Sequence, residues 1–397
     1  MKRYFNTEGF CNPTENYMVA LDSRLEKIKR LVDDGKYFSI NCARQYGKTT
    51  VLNALEQYLQ RDYQVISLDF QLLSHADFAS EPAFVAALAR EIQAVLLYKQ
   101  DVPEEITKQL IRFTDAQVQN GKLALLFACF SQWCGQTKRK IVLLVDEVDS
   151  AANNQVFLDF LAQLRGYYLH RKKRPAFWSV ILAGVYDIKH LKLKFSPDTE
   201  YRQNSPWNIA ADFLVNMSFS VSDIEGMLGQ YERDNHTGMH ANEMAQWIYA
   251  YTSGYPFLVS RICKIMDEQL GDTGKYPDKS HIWTKEGFLD AVNCLLSEKN
   301  TLFESLISKL EQYPRLKNML YALLFMGQSV SYNPDDTVIN IAAMFGFIRE
   351  NSGMVAVANR IFETRLYNLF LASAEMEEKS GEEMPTIHGE SSSLSII

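Results

Sequence analysis

The chain has 397 residues, more than one hydrophobic core usually sustains, so two or three domains are expected. Its 47% hydrophobic and 22% charged side chains describe ordinary globular protein. With 41 basic against 48 acidic residues the formal charge is -7, which excludes a surface built throughout to hold nucleic acid and leaves room only for a local basic face. The six cysteines, Cys11, Cys42, Cys129, Cys134, Cys263 and Cys294, show no C-x-x-C spacing, so free thiols in a reducing compartment are expected. The amino terminus has no apolar signal-peptide core. The strongest apolar runs, 123–130 and 141–145, fall far short of the roughly 20 residues that cross a bilayer, so a soluble cytoplasmic protein without membrane contact is expected.

In chain order, residues 22–33 place Leu25, Ile28 and Val32 at helical spacing. Residues 37–41 read as a short strand, followed by a polar loop with one glycine and a helix carrying Val51, Leu52, Leu55 and Leu59 on one stripe. Residues 64–70 form a second strand, and 71–139 read as mainly helical, with Phe84, Leu88, Ile92, Val95 and Leu96 on one face. Three short runs follow, 141–145, 178–182 and 213–219, rich in residues that suit strands. Near-continuous apolar strands separated by helices imply an α/β fold, a parallel sheet covered on both faces, over about 37–220, with 1–36 packed on it.

From 221 to 300 helical patterns dominate, broken at Thr252-Ser253-Gly254-Tyr255-Pro256. Residues 301–375 contain helices around 302–310 and 316–325, then runs at 344–349 and 354–357 flanking Glu350-Asn351-Ser352-Gly353, the mark of a β-hairpin. Helices followed by one hairpin suit a winged-helix module and equally a small α+β domain. From 376 the glutamates and the Ser391-Ser392-Ser393 run predict a disordered tail.

Chemistry concentrates in Cys42, Ala43, Arg44, Gln45, Tyr46, Gly47, Lys48, Thr49 and Thr50, between a strand and a helix. A phosphate-binding loop needs inward backbone N–H groups, a glycine at the closest approach, and a helix whose positive end faces the ligand. Gly47 and the helix from Lys48 meet those needs: Lys48 can reach the β- and γ-phosphates of ATP, and the Thr49 hydroxyl can ligate Mg2+. Cys42 stands where G-x-x-x-x-G-K-[ST] has its first glycine, which a small side chain tolerates if φ stays negative, with altered affinity. A helix start without ligand is the plain alternative.

The run Ile141-Val142-Leu143-Leu144-Val145-Asp146-Glu147 is a buried strand ending in two acids. Asp146 at its tip can hold Mg2+ through water, and Glu147 can take a proton from an attacking water, the two roles separated by the alternation of side chains along a strand. Two acids capping the next helix beside Asp149 and Ser150 would look the same.

The runs 37–50 (YFSINCARQYGKTT), 141–149 (IVLLVDEVD), 179–189 (SVILAGVYDIK) and 252–258 (TSGYPFL) resemble the bacterial AAA-like ATPases, P-loop NTPases related to the STAND and archaeal-ATPase branches and, more distantly, to origin-recognition ATPases. The resemblance covers about residues 1–375. It implies that the strand inserted between phosphate loop and acidic strand is 65–70, that Glu147 is the catalytic base with Asp146 and Lys48 beside it, and that a helical lid (221–300) and a winged helix (301–375) follow the core. It also implies that Pro256, in a Gly-x-Pro turn, packs near the adenine. The strand after the acidic one ends Leu182-Ala183-Gly184, without the Asn, Ser or Thr of a sensor; Tyr186 or Asp187 are the substitutes in sequence.

The basic run His170-Arg171-Lys172-Lys173-Arg174 could supply an arginine finger or contact DNA phosphates, and as a charge run it reads first as a solvated loop. The function expected is an ATP- and Mg2+-dependent hydrolase acting as a conformational switch on a protein partner. The alternatives are a DNA-binding winged-helix protein regulated by ATP, and a nonhydrolytic ATP-binding scaffold.

Overall fold

A computed structural model describes residues 2–97, 102–115, 121–185 and 206–380 of the chain. Helix α1 (Asp22–Asp33) leads into β1 (Tyr37–Asn41), α2 (Lys48–Leu59) and β2 (Gln64–Asp69). Helices α3 (Glu81–Leu96), α4 (Glu104–Thr114) and α5 (Leu123–Gln136) precede β3 (Ile141–Asp146), α6 (Gln155–Leu169) and β4 (Ser179–Gly184).

The four strands form one parallel sheet in the order β1-β4-β3-β2. Every residue of β3 and β4 is buried, which is why these strands read as unbroken apolar runs. Alternation along the strands splits the core in two. Phe38, Ile40, Val142, Leu144, Ile181 and Ala183 meet α1 and α2 on one face, and Tyr37, Leu143, Val145, Val180 and Leu182 meet α3, α5 and α6 on the other.

Two sequence expectations need correction. The strand read at 65–70 ends at Asp69 and lies at the sheet edge; β4 is the strand that separates β1 from β3 in space. Among the described residues 213–219 form no strand. The Ala211 N–H donates to Tyr37 across 2.8 Å, the Phe213 ring then stacks on Phe38, and Leu214 is 90% exposed. Past it the Ser218 N–H goes to the Asn216 side chain instead of a neighbouring strand.

After the sheet come α7 (Val221–Asn235), α8 (Ala241–Thr252), α9 (Pro256–Lys264), α10 (Lys279–Ile282) and α11 (Lys285–Ser297), then α12 (Thr301–Gln312), α13 (Pro314–Phe325) and α14 (Thr337–Met344). A hairpin of β5 (Ile348–Asn351) and β6 (Met354–Val357) follows, and α15 (Arg360–Ser380) closes the described chain. Ser352 and Gly353 have φ of 51° and 80°, the left-handed pair that a two-residue hairpin turn requires. Helix α15 passes residue 376; residues 381–397 lie outside the described residues.

One apolar cluster runs without a break from Ile224 through Leu295 to Leu306 and Phe362, so these helices share a core. Arg261 grips Glu298 with two hydrogen bonds, of 3.0 and 2.5 Å, at the junction between α11 and α12, and Arg365 donates to the Leu296 carbonyl. The amino-terminal segment joins the same cluster through Phe5 and Tyr17, packed on Tyr231. Among the described residues no helix is long and apolar enough to cross a membrane.

Candidate functional site

Residues 42–47 connect the end of β1 to α2. The Cys42 N–H still donates to the Gly184 carbonyl at 3.3 Å, and its φ is not positive, so cysteine meets no backbone penalty there. Burial pushes its thiol up to about 11, so it stays a small neutral side chain at neutral pH. The left-handed turns fall instead at Gln45 and Gly47, with φ of 59° and 77°. Gly47 caps α2, leaving the first N–H groups of that helix open toward the loop.

The ammonium of buried Lys48 folds back on the loop, donating to the carbonyls of Cys42 at 3.0 Å and Ala43 at 3.4 Å. The Thr49 hydroxyl donates to Asp146 Oδ2 at 2.9 Å. Asp146 Oδ1 accepts from the Glu147 N–H at 2.8 Å. Glu147 lies past the strand with φ of 51°, so a left-handed turn, more than the pleat, parts the two carboxylates.

Burial raises the carboxyl of Asp146 above its ordinary value; the Glu147 N–H and the Thr49 hydroxyl oppose this, and Asp69 at the tip of β2 adds to it. Glu147 is also raised, first by burial, with Lys48 pulling the other way and Asp146, Asp149 and Asp69 pushing upward. The structure thus brings together Lys48, Thr49, Asp146 and Glu147. A hydroxyl and a carboxylate oxygen at one point suit a hard cation that keeps most of its own water, so these residues fit Mg2+.

A cavity of about 930 Å³ opens here, walled by Arg44, Gln45, Gly47, Lys48, Thr49, Thr50 and Glu147. Beside it a second cavity of about 350 Å³ is mostly apolar, with Tyr17, Met18, Val19, Tyr46, Phe219 and Pro256 in its walls and Gln45, Gly47 and Thr50 at the shared side. Pro256 is the first residue of α9. The amino-terminal wall was missed because it has no motif; the Cys11 N–H donates to the Thr50 hydroxyl at 3.0 Å, and Tyr17 and Val19 share an apolar cluster with Ala43 and Tyr46. Ala43 packs beneath the loop, and Tyr46 meets the ring of Tyr255 edge-on at 4.5 Å. The Tyr255 hydroxyl donates to the Arg44 carbonyl at 2.6 Å, so residues after the core hold the loop's backbone.

At the tip of β4 the sensor position holds Gly184, and the structure gives the reason for the glycine. A Cβ there would sit 2.7 Å from Asp149 Oδ1, whose other oxygen accepts from the Val185 N–H at 2.6 Å. Tyr186 and Asp187 lie outside the described residues. The basic run sits at the other end of the strands. Arg171 donates to the Gly35 carbonyl at 2.5 Å, ahead of β1, and stacks on Tyr168 at 4.4 Å, about a strand's length from the loop, roughly 15 Å at 3.3 Å per residue. Helix α14 carries no charged side chain, and its Asn340, Ile341 and Met344 line a third cavity, of about 910 Å³, against Cys42 and Ala43.

A family model described as an AAA-like domain matches residues 14–273. None of the curated proteins matches the sequence. Among solved structures, the Walker-type ATPase PABY2304 of Pyrococcus abyssi superposes with a TM-score of 0.61 at 14% identity, covering 91% of this chain and 99% of that one. The ORC2 protein of Aeropyrum pernix, solved as ADPNP-ADP complexes, gives 0.46 at 10% identity over 89% and 93%. The RuvB Holliday junction branch migration motor of Thermotoga maritima gives 0.40 at 11% over 92% and 96%. The first of these shares the P-loop ATPase fold, and since the matched segment spans well over half of the chain, including residues 42–50, β3 and helices α7 to α9, the chain belongs to the AAA-like domain family.

Proposed function

We propose that this protein binds ATP with Mg2+ and hydrolyses it, using the turnover as a conformational switch on a protein partner. The observation that carries this reading is the meeting of Lys48, Thr49 and Glu147 in the wall of one cavity of about 930 Å³, with Asp146 bonded to Thr49 beside them. Lys48 would leave the carbonyls of Cys42 and Ala43 for the β- and γ-phosphates, and the N–H groups at the start of α2 would hold the phosphate chain. The adenine would enter the apolar cavity between Val19 and Pro256. Glu147 would accept the proton of the attacking water. Thr49 and Asp146 would hold Mg2+, which when bound neutralises phosphate charge.

The lid and the C-terminal segment share one core and touch the loop through Tyr255, so we read them as a body that follows the nucleotide. Cytoplasmic location and a winged-helix character for the α12–α14 and hairpin segment belong to the same proposal. The DNA-binding alternative is the weaker one: α14 is uncharged and turned toward the loop, and Arg171 is committed to Gly35.

Nucleotide affinity and phosphate release test the proposal. Lys48→Ala should abolish ATP binding, whereas Glu147→Gln should keep binding and lower phosphate release about 100- to 10,000-fold. Tight ATP binding without phosphate release in the unaltered protein would select the nonhydrolytic scaffold, and unchanged turnover in both variants would remove the hydrolase.

A further inference from the structure

One wall of the phosphate-side cavity comes from outside the segment matched by the family model. Helix α12 presents Thr301, Glu304, Ser305, Ser308 and Lys309 to it, while Leu302, Phe303, Leu306 and Leu310 are buried on the opposite side. The spacing i, i+3, i+4, i+7, i+8 puts the five on one stripe. Such a stripe is ordinarily a solvated helix face. Here it is docked: Gln45 of the loop donates to the Thr301 hydroxyl at 2.9 Å, and a Cβ at Gly346 would come within 2.9 Å of the Ala43 Cβ.

Lys309 is the cation of this wall. Its ammonium lies 4.7 Å from the centre of the Phe345 ring and 5.9 Å from that of Tyr313, and it donates to Gln312 at 2.8 Å. Among the described residues it forms no ion pair, and neither do Arg44 or Glu304, which line the same cavity. Burial, and then the like charge of Arg44, lower its pKa below the ordinary 10.5. Lys309 thus shares the cavity with Arg44 and Lys48 and with the carboxylates Glu147, Asp149 and Glu304, and a phosphate entering it would meet an ammonium that forms no ion pair of its own among the described residues. Glu147 borders the same cavity, which makes this the end at which a nucleotide's last phosphate would lie. From the other wall β4 offers only Gly184, covered by Asp149.

We propose that Lys309 contacts the terminal phosphate of a bound nucleoside triphosphate, so that α12 reads in cis whether that phosphate is present. The proposal rests on the reading of the loop as a nucleotide site and adds to it a phosphate-contacting residue from the C-terminal segment. Loss of the terminal phosphate removes the anion that holds Lys309, and with it one tie between α12 and the loop.

The test compares affinities for a nonhydrolysable ATP analogue and for ADP, each with Mg2+, in the full chain. Lys309→Met removes the charge and keeps the stem against Phe345 and Tyr313. It should weaken the analogue about tenfold or more, as loss of a charge-assisted hydrogen bond does, with ADP affinity held within about twofold. Lys309→Arg should restore most of the preference, and Lys317→Met, on the exposed side of α13, should leave both affinities unchanged. Equal losses for both nucleotides, or none, would overturn the role of Lys309 while leaving the nucleotide site intact. Failure of the unaltered protein to bind either nucleotide would remove the site and the inference together.

Discussion

The Thr49 hydroxyl and the Asp146 carboxylate meet at 2.9 Å although 97 residues separate them in sequence. The contact joins the first turn of α2 to the tip of β3 and holds in register the two oxygens that would share a cation. Burial of the Asp146 carboxylate is a cost to the fold that the Thr49 hydroxyl and the Glu147 N–H offset only in part.

That cost has a sign. Asp146 is raised above its ordinary 3.8 by burial, so its charged form is disfavoured in the folded state. The destabilisation is complete above the folded pKa and disappears as pH falls below the unfolded value. Asp146→Asn should therefore be more stable than the unaltered protein near neutrality, without nucleotide, and the difference should vanish as pH falls below 3.8. Urea midpoints across that range measure it; a less stable variant at neutral pH would refute the account.

Turnover should show the companion effect at Glu147. Protonated, it cannot accept a proton, and burial lifts its pKa above the ordinary 4.5. The acid limb of the pH–rate profile should then lie above 4.5 and be absent from the residual activity of Glu147→Gln. An acid limb unchanged in that variant would assign it to another group.

Restoring a sensor at the end of β4 should fail. Gly184→Asn would place a Cβ 2.7 Å from Asp149 Oδ1 and strain the bond from the Val185 N–H. We expect a loss of about 1–3 kcal/mol in unfolding free energy, as overpacking of a tight site gives, and no gain in phosphate release. Faster release with unchanged stability would contradict the steric argument.

Gly254 lies in the turn between α8 and α9 and packs against Phe219, where the chain leaves the core. It has φ of 74°, and a Cβ there would lie 1.9 Å from the Phe219 carbonyl oxygen, beside the hydrogen bond from the Phe219 N–H to Gly254. Gly254→Ala combines left-handed strain with a backbone clash and should cost about 2–5 kcal/mol, read from denaturation midpoints. A variant as stable as the unaltered chain would show that this junction gives way easily.

The strand, loop and helix around Gly47, the buried strand ending at Asp146, and the hairpin at Ser352 and Gly353 were legible in the sequence. Each is encoded by neighbours in the chain: apolar period, turn residues, and carboxylates at a strand end. The left-handed turn at Gln45 was not legible, because no glycine marks it. Nor was the failure of 213–219 to join the sheet, since its residues suit a strand and its backbone is taken up by the Asn216 side chain, by Arg24 and by Gly254.

By itself, then, the sequence determined that an α/β core is present and singled out Lys48, Thr49, Asp146 and Glu147 as candidates upon it. Tertiary structure alone decided what surrounds them: β4 between β1 and β3, Cys11 and Val19 beside the loop, Arg171 at the far edge, and α12 across the cavity. Those placements depend on contacts such as Gln45 with Thr301, 256 residues apart. Burial of apolar surface brings such segments together without regard to direction or sequence distance, so no local pattern records where they meet.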